Sequence, residues 1–502
     1  MVLYAAHSPA QVVTPIQNPS SISGSAPRIV QASDHNIPRE RISRNAVKVL
    51  ESLLAAGFES YLVGGCVRDL LLDRVPKDFD VATAAEPEQV SELFRNCRLI
   101  GRRFRLAHVR FGREIVEVAT FRASHASSDT PGDGETNIDG RIVRDNVYGT
   151  LEDDAWRRDF TVNSLYYDIR DDTIVDHVNG MADIEARTLR LLGDPDTRYR
   201  EDPVRMLRAA RFAAKLDFSL EDETATQIEE LSYFLGEVPP ARLFDETLKL
   251  FLSGHAEASF DQLQRFYLFE ELFPETARYL EVERAERFVR QALVNTDLRI
   301  AEGKPVTPGF LFAALLWEPM HRLTSEYRGN GMSEFQAHDV ASHDVINTQS
   351  QRISFPRRFS LMAKDIWTMQ PRLEQRKNRR ARGLLERPRF RAAYDFLALR
   401  CQAGDSKLKS MVDFWTKAQE GDFSQAESSG DGKKRGGRRR GGGNGNRAPS
   451  GNANGNRDVN GNRDIDGNRE VNGNTLAGHD SAASGEHRPR RRRRRRRKPA
   501  AV

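Results

Sequence analysis

Apolar positions divide the chain into short, readable segments. Ile42, Ala46, Val49, Leu50, Leu53 and Leu54 recur at helical spacing, with Ser43 placed to cap the start and Gly57 to end it. Tyr61-Leu62-Val63 is a continuous apolar run and predicts a buried strand, which Gly64-Gly65 turns into a helix around 67–72. Residues 78–81 predict a second strand, and Pro87 suits the first turn of a helix reaching Phe94. Residues 107–111 and 115–121 alternate as a hairpin pair around Gly112. The polar stretch 123–140 predicts a loop, 187–192 a last strand, and the remainder to about 418 is mainly helical in pattern.

Both ends lack such a pattern. Residues 1–36 are rich in Ser, Pro, Ala and Gln and are expected to be disordered. Beyond 428 the chain is of low complexity, with the six-residue repeat Asn456-Arg457-Asp458-Val459, Asn462-Arg463-Asp464-Ile465 and Asn468-Arg469-Glu470-Val471. Too few apolar residues accompany the repeat to build a solenoid core, so it reads as a linker to the basic run 490–498. The pattern therefore divides into a disordered start at 1–36, a head at 37–193, a helical neck at 194–260, a helical body at 261–418 and a disordered tail at 419–502.

Composition excludes several classes. A 502-residue chain is too long for one core, and it contains no apolar run long enough to span a bilayer. Cys66, Cys97 and Cys401 are too few and too scattered for a disulfide framework or a four-thiolate zinc site, which suits a reducing cytoplasm. The net charge of +5 hides a gradient. Residues 1–351 hold 40 Lys/Arg against 56 Asp/Glu, residues 352–400 hold 14 against 4, and residues 431–502 hold 20 against 7. Two basic regions after an acidic head point to a polyanionic partner.

The chemistry starts at Asp78 and Asp80. In a strand, positions i and i+2 share a face, so the two carboxylates converge. Such a pair stays charged only beside a cation, and hard oxygen ligands suit Mg²⁺ when substrate phosphates complete its shell. A solvated strand end is the alternative. Gly64-Gly65 lets the backbone approach a ligand, the following helix aims free N–H groups at it, and Arg68 stands one turn along to meet phosphate oxygens. Glu117 lies mid-strand among apolar residues and is one candidate third carboxylate, with a buried ion pair to an arginine as the alternative. Asp159 is the other candidate, with helix capping as the alternative.

Taken together, Leu62-Val63-Gly64-Gly65-Cys66-Val67-Arg68-Asp69 followed by Asp78-Phe79-Asp80 resembles the opening signature of the tRNA nucleotidyltransferase/poly(A) polymerase family. Residues Arg157-Arg158-Asp159-Phe160-Thr161-Val162-Asn163-Ser164 resemble its second motif, and Glu201-Asp202-Pro203-Val204-Arg205-Met206-Leu207-Arg208 its base-reading motif. Cys66 departs from the small residues usual at its place. The resemblance implies an α+β nucleotidyltransferase head with a mixed sheet, then an all-helical neck and body. It also implies two Mg²⁺ ions on Asp78 and Asp80, with Glu117 and Asp159 as further catalytic carboxylates. ATP is the implied substrate, held by Gly64, Gly65, Arg68, Arg158, Asn163, Asp202, Arg205 and Arg208.

Base choice has a physical basis. Asp202 and Arg205 stand at i, i+3 in a helix, with Glu201 placed to brace Arg205. A carboxylate accepts from an exocyclic amino group while a guanidinium donates to the adjacent ring nitrogen. That edge is shared by adenine and cytosine and absent from guanine and uracil. A surface ion-pair lattice is the alternative.

Residues 100–109, with Arg102, Arg103 and Arg105, and residues 250–256 resemble the bacterial poly(A) polymerases within the family. A basic strand edge is the structural alternative for the three arginines. Helical residues 372–391 carry Arg376, Lys377, Arg379 and Arg380 among other cations, with little balancing Glu, and are expected to track RNA phosphates. His338-Asp339 and His343-Asp344 are read as chance pairs on a helix and not as a phosphohydrolase centre. The resulting expectation is template-independent addition of AMP from ATP to RNA 3′ ends, marking RNA for decay alongside a helicase, ribonuclease or RNA chaperone. The alternatives are CCA addition to tRNA and a non-catalytic RNA-binding scaffold.

Overall fold

The computed structural model describes residues 26–101, 105–123, 134–136, 142–145, 147–375 and 383–421. Arg102, Arg103, Arg376, Lys377, Arg379, Arg380 and everything beyond 421 lie outside the described residues.

In chain order the head contains β1 (Arg28–Val30), α1 (Arg44–Ala55), β2 (Ser60–Val63), α2 (Gly65–Leu71), β3 (Asp80–Thr83) and α3 (Pro87–Leu93). There follow β4 (Cys97–Ile100), β5 (Leu106–Phe111), β6 (Glu114–Thr120), β7 (Gly134–Thr136), β8 (Ile142–Asp145), α4 (Leu151–Arg157), β9 (Leu165–Asp168), β10 (Thr173–Asp176), α5 (Gly180–Glu185) and β11 (Thr188–Leu189). Eight strands form one sheet in the order β1-β10-β9-β2-β3-β6-β5-β4. Every neighbouring pair is antiparallel except β3 and β6, which makes the sheet mixed.

From there the described chain is helical but for β12 (Ser219–Leu220). The neck holds α6 (Pro195–Glu201), α7 (Val204–Leu216), α8 (Asp222–Leu231) and α9 (Pro240–Phe251). The body holds α10 (Ala256–Arg265), α11 (Leu268–Leu272), α12 (Pro274–Ala277), α13 (Glu283–Ala301), α14 (Pro308–Leu315), α15 (Trp317–Gly329), α16 (Glu334–Arg352), α17 (Arg357–Leu373), α18 (Phe390–Gln402) and α19 (Lys409–Gln419). This is the expected α+β order of a sheet-bearing head followed by helices. No described helix is long and apolar enough to cross a membrane.

β2 shows why its sequence is a continuous apolar run. Leu62 packs into the main core with α1 and α2, while Tyr61 and Val63 pack on the opposite face with Ala82, Phe121, Ala155 and Tyr166. Both faces are covered, so alternation disappears. The main core continues from the sheet through α7 into the body, and a second cluster around Leu373, Phe390, Leu397 and Trp415 closes the C-terminal helices.

Five expectations change. Residues 1–36 are not all unstructured: β1 pairs antiparallel with β10 and buries Val30, a strand too short to register as periodicity. β3 begins at Asp80, because β2 turns away after Val63 and leaves Asp78 no partner. The 123–140 stretch contains β7, paired with β8. The strand expected over 187–192 shrinks to β11, since the Leu191 amide is taken by the Thr224 hydroxyl at 3.1 Å. The helical stripe over 372–391 is interrupted, for α17 ends at Leu373 and Arg389, at φ +71°, starts α18.

Candidate active site

The opening turn is set by Gly64. Its φ of +78° and ψ of −130° belong to a region essentially restricted to glycine, and it caps α2. A Cβ there would stand 3.3 Å from Arg158 Nη1, and one on Gly65 would stand 3.6 Å from Arg68 Nη2. The turn thus brings bare backbone between two guanidinium groups.

Asp80 stands at the end of β3, opposite Val63 on one side and Glu117 of β6 on the other. It shares its sheet face with Ala82 and Tyr61, the face on which Tyr166 also packs. Burial, then the charge of Glu117, then that of Asp78, push the Asp80 carboxyl up to about 7, and only Arg158 acts against them. Glu117 and Asp78 are thus the two carboxylates whose charge acts on Asp80. Glu117 is not buried as expected: its side chain is 46% exposed. The group beside it is not an arginine but His108, whose Nε2 lies 3.1 Å from Glu117 Oε1 without hydrogen-bond geometry.

Arg158 is aimed by its neighbours. Nε donates to Tyr166 OH at 3.0 Å, Nη2 donates to Asp154 Oδ2 at 2.9 Å, and the guanidinium lies over the Tyr166 ring. Tyr166 OH in turn donates to Asp154 Oδ2 at 2.7 Å. Burial opposes ionisation of Asp154, but the Arg158 charge holds its carboxyl below the usual range. Nη1, the nitrogen beside Gly64, makes no hydrogen bond among the described residues.

Arg68 and Asp159 depart from their expected roles. Arg68 is 2% exposed, and its guanidinium bonds to Asp69 Oδ1 at 2.9 and 2.5 Å and to Asn163 Oδ1. It supports the turn from beneath instead of standing free for phosphate. Asp159 accepts from Arg208 Nε at 2.8 Å and Nη2, from Asn163 Nδ2 at 3.2 Å and from the Phe160 amide at 3.0 Å. Despite burial, the Arg208 charge and these bonds lower its carboxyl to about 2. Asp159 therefore ties the turn after α4 to α7, and the carboxylate beside Asp80 is Glu117.

The base-reading motif is built across a helix break. α6 ends at Asp202 and α7 begins after Pro203, so Asp202 stands at the start of the helix that carries Arg205, whose amide donates to the Asp202 carbonyl at 2.9 Å, and the two side chains make no bond to each other. Asp202 instead accepts from Arg242 Nη2 of α9 at 2.6 Å, and the Arg242 bond and charge outweigh burial to lower its carboxyl. Glu201 braces Arg205 as expected, with Oε2 accepting from Nη1 at 3.1 Å, and Arg205 Nη1 also donates to the Arg198 carbonyl at 2.6 Å. Arg198 carries the brace onward to the Arg157 and Arg158 carbonyls at 2.8 and 2.7 Å.

Two contributors escape the sequence reading. Arg242 is forty residues from Asp202, and no local signal connects them. Arg211 continues the Arg205, Arg208 spacing along α7 and was legible by that spacing. Burial, then the neighbouring Arg208 charge, depress its guanidinium to about 10, and its Nε is buried without a partner. Arg68, Arg208 and Arg211 all lie within 5.4 Å of the Phe212 ring centroid. Arg105 is 46% exposed and pairs with Glu88 of α3.

The carboxylates nearest the glycine turn are of the kind that suits a divalent cation. Asp78, Asp80 and Glu117 offer hard oxygens, and the raised Asp80 carboxyl marks negative charge that its surroundings leave under-neutralised. Among the described residues no group of three or more His, Cys, Asp or Glu side chains is placed so that it could hold a metal ion. Two carboxylates in register on adjacent parallel strands, beside a glycine turn flanked by guanidinium groups, are the arrangement expected of a nucleotidyltransferase.

Family models match residues 60–190 as a poly(A) polymerase head domain, 217–280 as a probable RNA- and SrmB-binding site of polymerase A, and 330–447 as the arginine-rich C-terminus of polymerase A. The chain belongs to the bacterial poly(A) polymerases, and its reaction is template-independent addition of AMP to RNA. It is 47% identical over 397 residues to poly(A) polymerase I of Salmonella typhimurium, covering 78% of this chain and 85% of that one. With poly(A) polymerase I of Haemophilus influenzae it shares 44% over 404 residues, 80% and 89% of the two chains. The CCA-adding enzyme of Lactobacillus helveticus is more distant, at 38% over 215 residues, 43% of this chain and 51% of that one. In fold the chain resembles a CCA-adding enzyme in apo form II, with TM-score 0.56 at 18% identity over 78% of this chain and 87% of that one.

Proposed function

We propose that Asp78 and Asp80 hold two Mg²⁺ ions, with Glu117 as the third carboxylate of the cluster. The supporting observation is the register of Asp80 opposite Glu117 on the parallel strand pair, next to the glycine turn. When bound, the metal supplies a lowered pKa at the RNA 3′-hydroxyl and charge neutralisation at the departing pyrophosphate. The backbone of Gly64 and Gly65 lets the triphosphate approach, and Arg158 Nη1 and Arg211 offer it unpaired N–H donors. The 3′-hydroxyl gives up its proton to solvent, its oxygen bonds to the α-phosphorus of ATP, the bond from that phosphorus to the bridging oxygen breaks, and pyrophosphate leaves.

Asp202 accepts from the adenine amino group and Arg205 donates to the adjacent ring nitrogen. Arg242 and Glu201 hold the two groups at fixed separation, so G and U present the wrong edge to a pair that does not adapt. Arg208 and Asn163 act through Asp159, as positioning residues.

In this reading residues 37–193 carry catalysis, 194–260 base recognition and 261–418 RNA binding. Residues 419–502 act as a tethered polycation, joined in holding RNA by Arg102, Arg103, Arg105, Arg376, Lys377, Arg379 and Arg380. The reaction takes place in the cytoplasm, and the tail marks RNA for decay by a helicase, ribonuclease or RNA chaperone acting on the same 3′ end. One assay tests the core of it: protein, Mg²⁺, labelled ATP or CTP, and either a generic RNA or a tRNA lacking its CCA end. Long A-tails on the generic RNA are expected. Extension that stops after restoring CCA overturns the reading.

A further inference from the structure

The neck carries an aromatic stack that the catalytic machinery does not use. A short 3₁₀ turn, Ser232–Glu237, sets Tyr233 and Phe234 side by side with ring centroids 4.6 Å apart and 30° from parallel. Arg200 of α6 lies over the Phe234 ring, its Cζ 4.9 Å from the centroid. Arg200 is itself fixed by Asp196, with bonds of 2.9 to 3.0 Å from Nε and Nη2. Phe234 rests against the main core, while Tyr233 is 56% exposed. Arg200 lies over the Phe234 ring and within reach of the Tyr233 hydroxyl, so the guanidinium and both rings form one cluster that Tyr233 opens to solvent.

Solvent is an unfavourable neighbour for the outermost ring. A large exposed aromatic backed by a second ring and an arginine gains by accepting another planar group on its open side. Two arginines, each paired with a carboxylate, lie near the place. Arg200 comes from the neck, and Arg352 from the body lies 3.2 Å from where a Cβ on Gly236 would stand. Planar groups strung on a polyanion match both features, and residues 217–280, which include the stack, match the RNA-binding family model.

Position strengthens the match. On α6, Arg198 and Glu201 reach inward to the Arg158 carbonyl and to Arg205, whereas Arg200, two residues from Arg198, projects from the other side. The stack and the base-reading pair are therefore separated by the width of one helix, about 10 Å, or roughly three stacked nucleotides. We propose that Tyr233 is a stacking platform for a base of the RNA substrate, about three nucleotides upstream of its 3′ end. This rests on RNA being the polymer that the enzyme extends, and it names the neck surface that holds it.

Stacking on an aromatic tolerates any base, as untemplated tailing of varied RNAs requires. In Tyr233→Ala the KM for a twelve-nucleotide RNA rises on the order of 10-fold, while kcat and the KM for ATP stay unchanged. Tyr233→Phe keeps the ring and stays near the unsubstituted protein. A dinucleotide primer, too short to reach, is insensitive to both changes. In the unsubstituted protein, 2-aminopurine walked along the RNA changes in fluorescence most near the third or fourth position from the 3′ end. An unchanged RNA KM in Tyr233→Ala with no position-dependent fluorescence overturns the proposal. So does equal loss with the dinucleotide. A variant that keeps its RNA KM but loses crosslinking to a protein partner assigns the face to that partner and overturns it equally. Failure of A-tailing in the unsubstituted protein would instead strike at the catalytic reading.

Discussion

Arg208 donates to Asp159 through Nε at 2.8 Å and again through Nη2, an ion pair that fastens the turn after α4 to the neck helix α7. The contact removes Asp159 from the carboxylates available near Asp80. It is one of the contacts, with those of Arg198 to the Arg157 and Arg158 carbonyls, that hold this turn against the neck helices.

Acid should weaken this joint in a defined window. Asp159 ionises at about 2 in the folded chain, against roughly 3.9 for a free aspartate. A depressed carboxyl stabilises the folded state fully above pH ~4 and loses that effect as pH falls towards 2. Asp159→Asn should therefore lower Tm at pH 7 by the equivalent of roughly 2 kcal/mol, with the gap from the unsubstituted protein narrowing below pH ~4. Thermal melts at fixed ionic strength read both values, and a constant gap would contradict the assignment.

Asp80→Asn should abolish AMP incorporation while filter-bound RNA stays nearly unchanged. Stability should move the other way from Asp159. With its carboxyl raised to about 7, Asp80 holds its proton longer folded than unfolded, so its ionisation costs stability increasingly from pH ~4 to 7. Melts of the metal-free variant at pH 8 should show a Tm no lower than the unsubstituted protein. A large fall would mean the carboxylate supports the fold.

Gly64→Ala strains the backbone and places a methyl 3.3 Å from Arg158 Nη1. The strain should cost about 1–3 kcal/mol of stability. Displacement of Arg158 should raise the KM for ATP more than the KM for RNA. Steady-state kinetics with each substrate varied separately distinguishes this from a general loss.

Arg242→Ala frees Asp202 without touching Asp78, Asp80 or Glu117. The expected result is an ATP KM raised on the order of 10-fold, equivalent to about 1.4 kcal/mol, with GTP and UTP discriminated less sharply. Competition between labelled nucleotides measures it. Unchanged discrimination would show that Asp202 is held adequately by the backbone.

Much of this was legible in the sequence because it is local. The Gly64-Gly65 turn, the Ser43 cap and the brace of Arg205 by Glu201 each depend on residues within four positions. The parts that were not legible come from sequence-distant pairing. Arg242 reaching Asp202, Arg208 taking Asp159 and β1 joining β10 require the folded chain to bring them together. Glu117 was misjudged for a related reason. Mid-strand apolar neighbours suggest burial, but its own face lies beside Asp80 and His108 and remains open.

Phe212 holds three guanidinium groups around one ring, two of them at hydrogen-bond distance from a carboxylate and the third, on Arg211, without one. Such crowding of like charge would be relieved by any triphosphate, whatever base it carries. If Asp202 and Arg205 read the base as proposed, phosphates and base are recognised at separate places. GTP and UTP would then not be kept out. They would lodge without reacting, and their cellular level against ATP would throttle how fast an RNA is tailed.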